Sequence, residues 1–142
     1  MLVGQLEWAT RNVSNALDFI ADDKLNWKPE PVAKSVLEIV NHAAGAMQGI
    51  AQMLDGGSYE THFAPAVNRH EAKLLLQKNA DFYVARLRAL QPHDMTRTLF
   101  FEIGEMPIYV LMQMAILDLI HHHGQIAYIQ TLLGDQTDHL VM

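Results

Sequence analysis

Asp118 and His122 stand four residues apart in the segment LDLIHHHGQI (117–126). Side chains at this spacing lie one above the other on the same face of an α-helix. A carboxylate and an imidazole placed in this way are a common means of presenting two ligands to a metal ion. A charged side chain among apolar residues is costly unless it is paired or binds a metal. The spacing therefore indicates either two metal ligands or an ion pair on the helix.

His42 is the ionisable residue of a second stripe, formed by positions 39, 42, 46, 49 and 53. With Asp118 and His122 it makes a set of two imidazoles and one carboxylate. Three protein ligands leave positions open for water or substrate, which is typical of catalytic zinc. The set also suits nickel and, in a facial arrangement, iron. Gln125, one turn after His122, is a candidate to orient a ligand or a bound water. A hydrogen-bonded core histidine is the alternative for His42.

Four amphipathic helices are predicted to position these residues. Apolar spacing predicts helices over 2–21, 35–54, 70–90 and 107–133. The second is expected to begin with a capping box in Ser-Val-Leu-Glu (35–38), and the last to end at Gly134. Small residues near His42 would let another helix approach closely: Gly45, Ala46 and Gly49.

The connections complete the predicted fold. Residues 25–34 form an extended connector with two prolines, 55–69 are long enough to cross a bundle from end to end, and 96–106 favour a short extended segment. Without a convincing strand pattern, the sequence predicts an all-α four-helix bundle forming one domain over 1–142.

The last helix carries a predicted inward stripe with apolar ends and a polar middle. Its members are Leu111, Ala115, Asp118, His122, Gln125, Ile129 and Leu132. His121 and His123 point elsewhere on the helix. The four histidines expected in solvent, in loops or at helix ends, are His62, His70, His93 and His139.

Composition limits the function classes. The net charge is −6, and the 10 Lys and Arg residues are scattered, which argues against nucleic acid as a partner. The absence of cysteine excludes disulfides and thiolate ligands. No apolar stretch is long enough to span a bilayer, and the N-terminus does not have the pattern of a signal peptide. A cytoplasmic protein with no membrane association is expected.

Two segments resemble the DinB-like (YfiT-like) superfamily. LNWKPEPVAKSVLEIVNHAAGAM (25–47) is similar to its Trp-Pro-Ser and His region, and HHHGQIAYIQTLLG (121–134) to its His-His-Arg-Gly-Gln signature. The resemblance implies an up-down-down-up bundle, often dimeric, with a histidine-rich divalent-metal site. The family's first and last ligands match His42 and His122. Asp118 stands where the family usually has a third histidine, and His123 where it commonly has arginine.

The expected function is that of a metal-dependent enzyme, with zinc or nickel favoured and manganese or iron as alternatives. The resemblance implies transfer of a small thiol cosubstrate activated by the metal. A hydrolytic variant would use metal-bound water. The alternatives are a non-catalytic metal-binding module and a structural homodimer. The exposed apolar residues of the last helix are the candidates for a dimer surface.

Overall fold

The computed structural model describes residues 1–101 and 104–142. In these residues the chain forms four α-helices: α1 (Leu2–Ala16), α2 (Val36–Leu54), α3 (Arg69–Ala89) and α4 (Ile108–Leu132). α2 packs against α3 and α4, and α1 packs against α4 and α3. The four helices enclose one apolar cluster, with the up-down-down-up order that the family resemblance implies.

α1 ends five residues earlier than predicted. It stops at Ala16, and a 3-10 turn follows at Leu17–Phe19. Arg69 provides the physical reason, since its guanidinium donates hydrogen bonds to the backbone oxygens of Leu17 and Ile20. A cation that satisfies the last carbonyl groups of a helix stabilises its carboxyl end. Leu17 and Ile20 are nevertheless buried, as their spacing predicts.

The predicted boundaries of α2 are confirmed. The backbone N–H of Glu38 donates to Ser35 Oγ at 3.3 Å, and the N–H of Ser35 donates to the Glu38 carboxylate at 2.8 Å. This reciprocal pair is the capping box. At the other end, Gly56 adopts a φ of +87°, and Gly57 N–H donates to the oxygen of Gln52 at 2.9 Å. These bonds close the helix in a Schellman arrangement.

The long connection after α2 returns along the surface of that helix. We call residues 58–66 the crossing segment. Gln52 accepts from the backbone of Glu60 at 3.1 Å, and Asn41 makes two hydrogen bonds with the backbone of Ala66, at 2.8 and 3.0 Å. The segment thus travels from the end of α2 back toward its beginning before α3 starts. α2 and α3 therefore run parallel, and the predicted end-to-end crossing is confirmed.

Two glycines of α2 allow the crossing segment to lie close to the helix. A Cβ built on Gly49 would be 2.5 Å from the Tyr59 ring, and one on Gly45 would be 3.4 Å from Thr61 Cγ2. The small residues near His42 were expected to admit another helix. At Gly45 and Gly49 the neighbour is instead an extended segment, because a side chain of the long connection fills the space.

Substitution of Gly49 by alanine tests this contact. Alanine favours a helix interior over glycine by about 1 kcal/mol. We expect the overlap with Tyr59 to cancel that gain in the native chain. In a Tyr59→Ala background, Gly49→Ala should raise the free energy of unfolding by about 1 kcal/mol. Urea denaturation measures both values.

Gly124 provides the control, since a Cβ there would meet nothing within 4 Å. Gly124→Ala should be equally stabilising with or without Tyr59. If Gly49→Ala has the same effect in both backgrounds, the contact with Tyr59 does not influence stability.

A small hairpin separates α3 from α4. β1 (Thr98–Phe101) pairs antiparallel with β2 (Gly104–Pro107), which confirms the extended segment. Positions 102 and 103 of that segment lie outside the described residues. Pro107 is the N-cap of α4 rather than part of its first turn. Gly134, with a φ of +101°, ends α4 as predicted.

The C-terminal segment (residues 135–142) is docked onto the bundle. Asn12, which is 2% exposed, accepts from the N–H of Val141 at 2.8 Å and donates to its oxygen at 3.0 Å. Asn15 donates to the oxygen of His139 at 2.8 Å, and the His139 ring stacks on Phe19 at 3.4 Å. His139 was expected in solvent, and this expectation is wrong because its ring is covered by Phe19.

The buried face of α4 departs from the predicted stripe at its carboxyl half. Gln125 and Leu132 are exposed, whereas Leu119 and Ile126 are buried. A straight helix turns 100° per residue, so a face can continue at either the third or the fourth position. After His122 the next buried residue is Ile126, four positions on, rather than Gln125, three positions on.

Within the described residues, no helix is sufficiently long and apolar to cross a membrane.

Candidate metal centre

The structure brings His42, Asp118 and His122 together between α2 and α4. One ligand atom from each side chain lies within 4.8 Å of the other two. The imidazole rings of His42 and His122 are 5.0 Å apart at their centroids and nearly perpendicular. His122 is buried, Asp118 is half-buried and His42 is exposed. His42 was assigned to an inward stripe, but it stands at the solvent side, so the cluster opens to the surface.

Gln125 orients the buried imidazole. Its amide oxygen lies 2.7 Å from Nδ1 of His122. An amide oxygen can only accept, so Nδ1 carries a hydrogen, and in the neutral ring Nε2 presents its lone pair. Nε2 in turn lies 3.3 Å from Oδ1 of Asp118. Gln125 is exposed, but it contacts the cluster through His122. The sequence suggested that it would orient a ligand, and its hydrogen bond to His122 agrees with that role.

The cluster contains two buried atoms without partners. Neither Nε2 of His122 nor Oδ2 of Asp118 has a hydrogen-bond partner among the described residues. Buried polar atoms are almost always satisfied, so such an exception needs an explanation. A lone pair and a carboxylate facing each other repel unless a proton or a cation lies between them. A divalent ion would satisfy both atoms.

The separation of the two groups agrees with a shared ion. Zinc binds imidazole nitrogen and carboxylate oxygen at about 2.0–2.2 Å, so two ligands of a tetrahedral ion are about 3.3 Å apart. The distance between His122 Nε2 and Asp118 Oδ1 is 3.3 Å. Two nitrogens and one oxygen also form a donor set that zinc and nickel accept. The residues present therefore fit a divalent metal.

The pKa values of His42 and His122 are shifted in opposite directions. Burial lowers the pKa of His42, and the charges of His122 and Lys34 reinforce this against the opposing effect of Asp118. Burial would also lower the pKa of His122, but Asp118 and the hydrogen bond that His122 donates to Gln125 outweigh it, and the net shift is upward. His42 is thus held neutral, the form that ligates metals, while a proton competes for the lone pair of His122.

Two further residues near the cluster were missed in the sequence. Tyr59 covers Gly49, two turns along α2 from His42. Burial and the negative charge of Asp118 raise the pKa of Tyr59, so its phenol stays protonated at neutral pH. Lys34, at the end of the proline-containing connector, has a charge that acts on both histidines. No local pattern marks either residue, because both stand in loops outside the helices.

The remaining histidines lie outside the cluster. The rings of His121 and His122 are 5.0 Å apart, but His121 is exposed on the neighbouring face of α4. His123 is half-buried, as befits a packing residue. The predicted exposure of His62, His70 and His93 is confirmed.

Several solved structures share this fold. A DinB-like protein from Bacillus subtilis is 19% identical, with 99% of this chain and 95% of that chain covered and a TM-score of 0.77. A conserved protein from Enterococcus faecalis is 16% identical, with 94% and 96% covered and a TM-score of 0.80.

YfiT from Bacillus subtilis is described as a probable metal-dependent hydrolase with an unusual four-helix bundle topology. It is 14% identical to this chain, with 94% of this chain and 86% of YfiT covered and a TM-score of 0.79. No curated protein matches this sequence. A model of the DinB superfamily matches residues 5–126, a span that includes all three residues of the cluster. The chain therefore belongs to the DinB superfamily.

Proposed function

We propose that the chain binds a divalent metal ion through His42, Asp118 and His122 and acts as a metal-dependent enzyme. The observation that carries the proposal is that two buried atoms of the cluster, His122 Nε2 and Asp118 Oδ2, have no hydrogen-bond partner among the described residues. The third member of the cluster, His42, lies at the surface. The description of YfiT as a probable metal-dependent hydrolase supports the same assignment. Zinc fits the donor set best, ahead of nickel, manganese and iron.

The bound ion would supply Lewis acidity, lowering the pKa of a water or thiol at an open coordination position. Three residues of the protein would have separate roles around the ion. Gln125 fixes the ring of His122. His42 stands at the exposed side, where substrate can enter. The protonated phenol of Tyr59 is a candidate hydrogen-bond donor to an oxygen of the substrate.

Hydrolysis is the reaction that we place first, because YfiT is described as a hydrolase. Transfer of a small thiol would use the same open position and the same three ligands. Assays of ester and amide hydrolysis and of thiol transfer, run on the zinc-loaded protein, separate the two reactions. A chain that binds zinc but turns over none of these substrates is a binding module. The homodimer and the cytoplasmic location stay predictions.

Zinc binding is the direct test. The protein should be purified without a histidine tag or a nickel column, because both can load an open histidine site. We expect saturation at one zinc per chain in a titration against a chromophoric chelator. A hundredfold excess of zinc over its Kd should stabilise the fold by about 2.7 kcal/mol and raise Tm by roughly 5–10 °C.

The structural alternative predicts the opposite result. If Asp118 and His122 form only an internal ion pair, zinc should show no saturable binding. EDTA would then leave Tm unchanged in protein purified without added metal. Elemental analysis of the same sample would find no stoichiometric divalent ion. Those three results together would overturn the proposal.

A further inference from the structure

A groove of about 340 Å³ begins beside the metal centre, at Gln125. It lies between the proline-containing connector and α4, and its size is in the range of small-molecule sites, about 300–1,000 Å³. The residues used in the argument below line it: Val32, Lys34, Ile39, Gln125, Tyr128 and Ile129.

The groove is continuous with the candidate metal centre. Gln125 forms part of its wall and holds His122 through its amide oxygen. Ile39 precedes His42 by one turn on α2, and Ile129 follows Gln125 by one turn on α4. α2 and α4 run in opposite directions, so both residues extend the groove toward the same end of the bundle. A ligand in the groove would therefore have one end at the metal.

Lys34 gives the groove its charge. None of the groove's lining residues is acidic, and no carboxylate pairs with Lys34 in the part of the chain that the structure describes. Lys28, on the same connector, is by contrast neutralised by Glu38 at 2.7 Å. Lys34 directly precedes Ser35, the N-cap of α2, so it lies toward the amino end of that helix, beyond Ile39 along the groove. In a chain of net charge −6, an unpaired cation beside apolar walls favours an anionic ligand.

We propose that this groove binds the substrate of the metal centre and that the substrate is a small organic carboxylate with an apolar body. Lys34 pairs with the carboxylate, and the apolar part packs on Ile39, Ile129 and the ring of Tyr128. One lysine matches one negative charge. The assignment of the ligand as substrate rests on the metal-dependent function proposed above, whereas binding in the groove does not.

Hexanoate and its neutral counterpart hexanamide test the inference. Titration calorimetry on the metal-free and the zinc-loaded protein should show hexanoate binding to both, with hexanamide roughly tenfold weaker. Lys34→Ala should weaken hexanoate roughly tenfold, and Lys34→Arg should keep most of the affinity. Acetate, which lacks the apolar body, should bind more weakly than hexanoate.

Lys78→Ala is the matched control, since Lys78 is an exposed lysine on α3 and does not line the groove. It should leave hexanoate binding unchanged. Equal affinities for hexanoate and hexanamide, or normal hexanoate binding by Lys34→Ala, would overturn the inference. Hexanoate binding that requires zinc and ignores Lys34 would also overturn it, because the carboxylate would then be a direct ligand of the ion.

The two proposals fail separately. Zinc affinity should persist in Lys34→Ala, because removing a nearby positive charge does not disfavour a cation. If zinc binds and hexanoate does not, the groove assignment is wrong and the metal function stands. If hexanoate binding depends on Lys34 but zinc never binds, the groove is a carboxylate site and the substrate assignment is overturned together with the metal.

Discussion

His122→Ala is expected to weaken zinc binding by more than about 100-fold, the upper range for residues that merely support a ligand. His122 is the buried member of the cluster, and its Nε2 lies 3.3 Å from the Asp118 carboxylate. Its removal leaves an exposed imidazole and one carboxylate, too few to hold the ion in competition with water. Competition titration against a chromophoric chelator at fixed pH measures the loss.

Gln125→Leu should give a smaller loss, about tenfold. The leucine side chain cannot accept from Nδ1, so the ring of His122 loses its fixed orientation but keeps its lone pair. Zinc affinity should therefore rise from His122→Ala to Gln125→Leu to the native chain. This order distinguishes a metal ligand from a residue that positions a ligand.

His121→Ala provides the matched control for this series. His121 is adjacent in sequence, and its ring is 5.0 Å from that of His122, yet it belongs to the exposed side of α4. Zinc affinity should be unchanged in this variant. If His121→Ala and His122→Ala lose affinity equally, zinc binds to the histidine run as a whole, and the proposed three-residue centre is wrong.

Local periodicity is sufficient to predict the α4 half of this centre. A spacing of four residues places Asp118 and His122 together in any helix, and the capping box at Ser35 fixes where α2 begins. That His42 meets them from another helix was predicted with the help of the family resemblance as well as the residues. The bundle itself follows from four apolar stripes.

Features that depend on distant residues could not be predicted in this way. The end of α1 is set by Arg69, which lies 49 residues after Ile20. The approach of Tyr59 to Gly49 depends on the path of the crossing segment. His42 was expected among inward residues because its stripe is otherwise apolar, but the edge of a buried face cannot be located from hydrophobicity alone. Lys34 acquires its significance only from the groove beside it.

The docked C-terminal segment is the other feature that no periodicity predicts, and Asn12 holds it. We expect Asn12→Leu to lower the free energy of unfolding by about 2–3 kcal/mol. Two hydrogen bonds to the backbone of Val141 are lost, and its N–H and C=O groups must then return to water. Chemical denaturation measures the change, and Tm should fall by roughly 4–12 °C. Asn15→Ala, which removes one bond to His139, should cost about 1 kcal/mol.

Deletion of residues 135–142 separates the role of this docking from a general effect of a buried leucine. In the shortened chain Asn12 has no C-terminal segment to bind, although its bond to the oxygen of Trp8 at 3.0 Å remains. Asn12→Leu should then be nearly neutral, because the apolar side chain replaces an amide that has lost its main partners. A loss of about 2–3 kcal/mol in both backgrounds would show that Asn12 stabilises α1 itself rather than the docked segment.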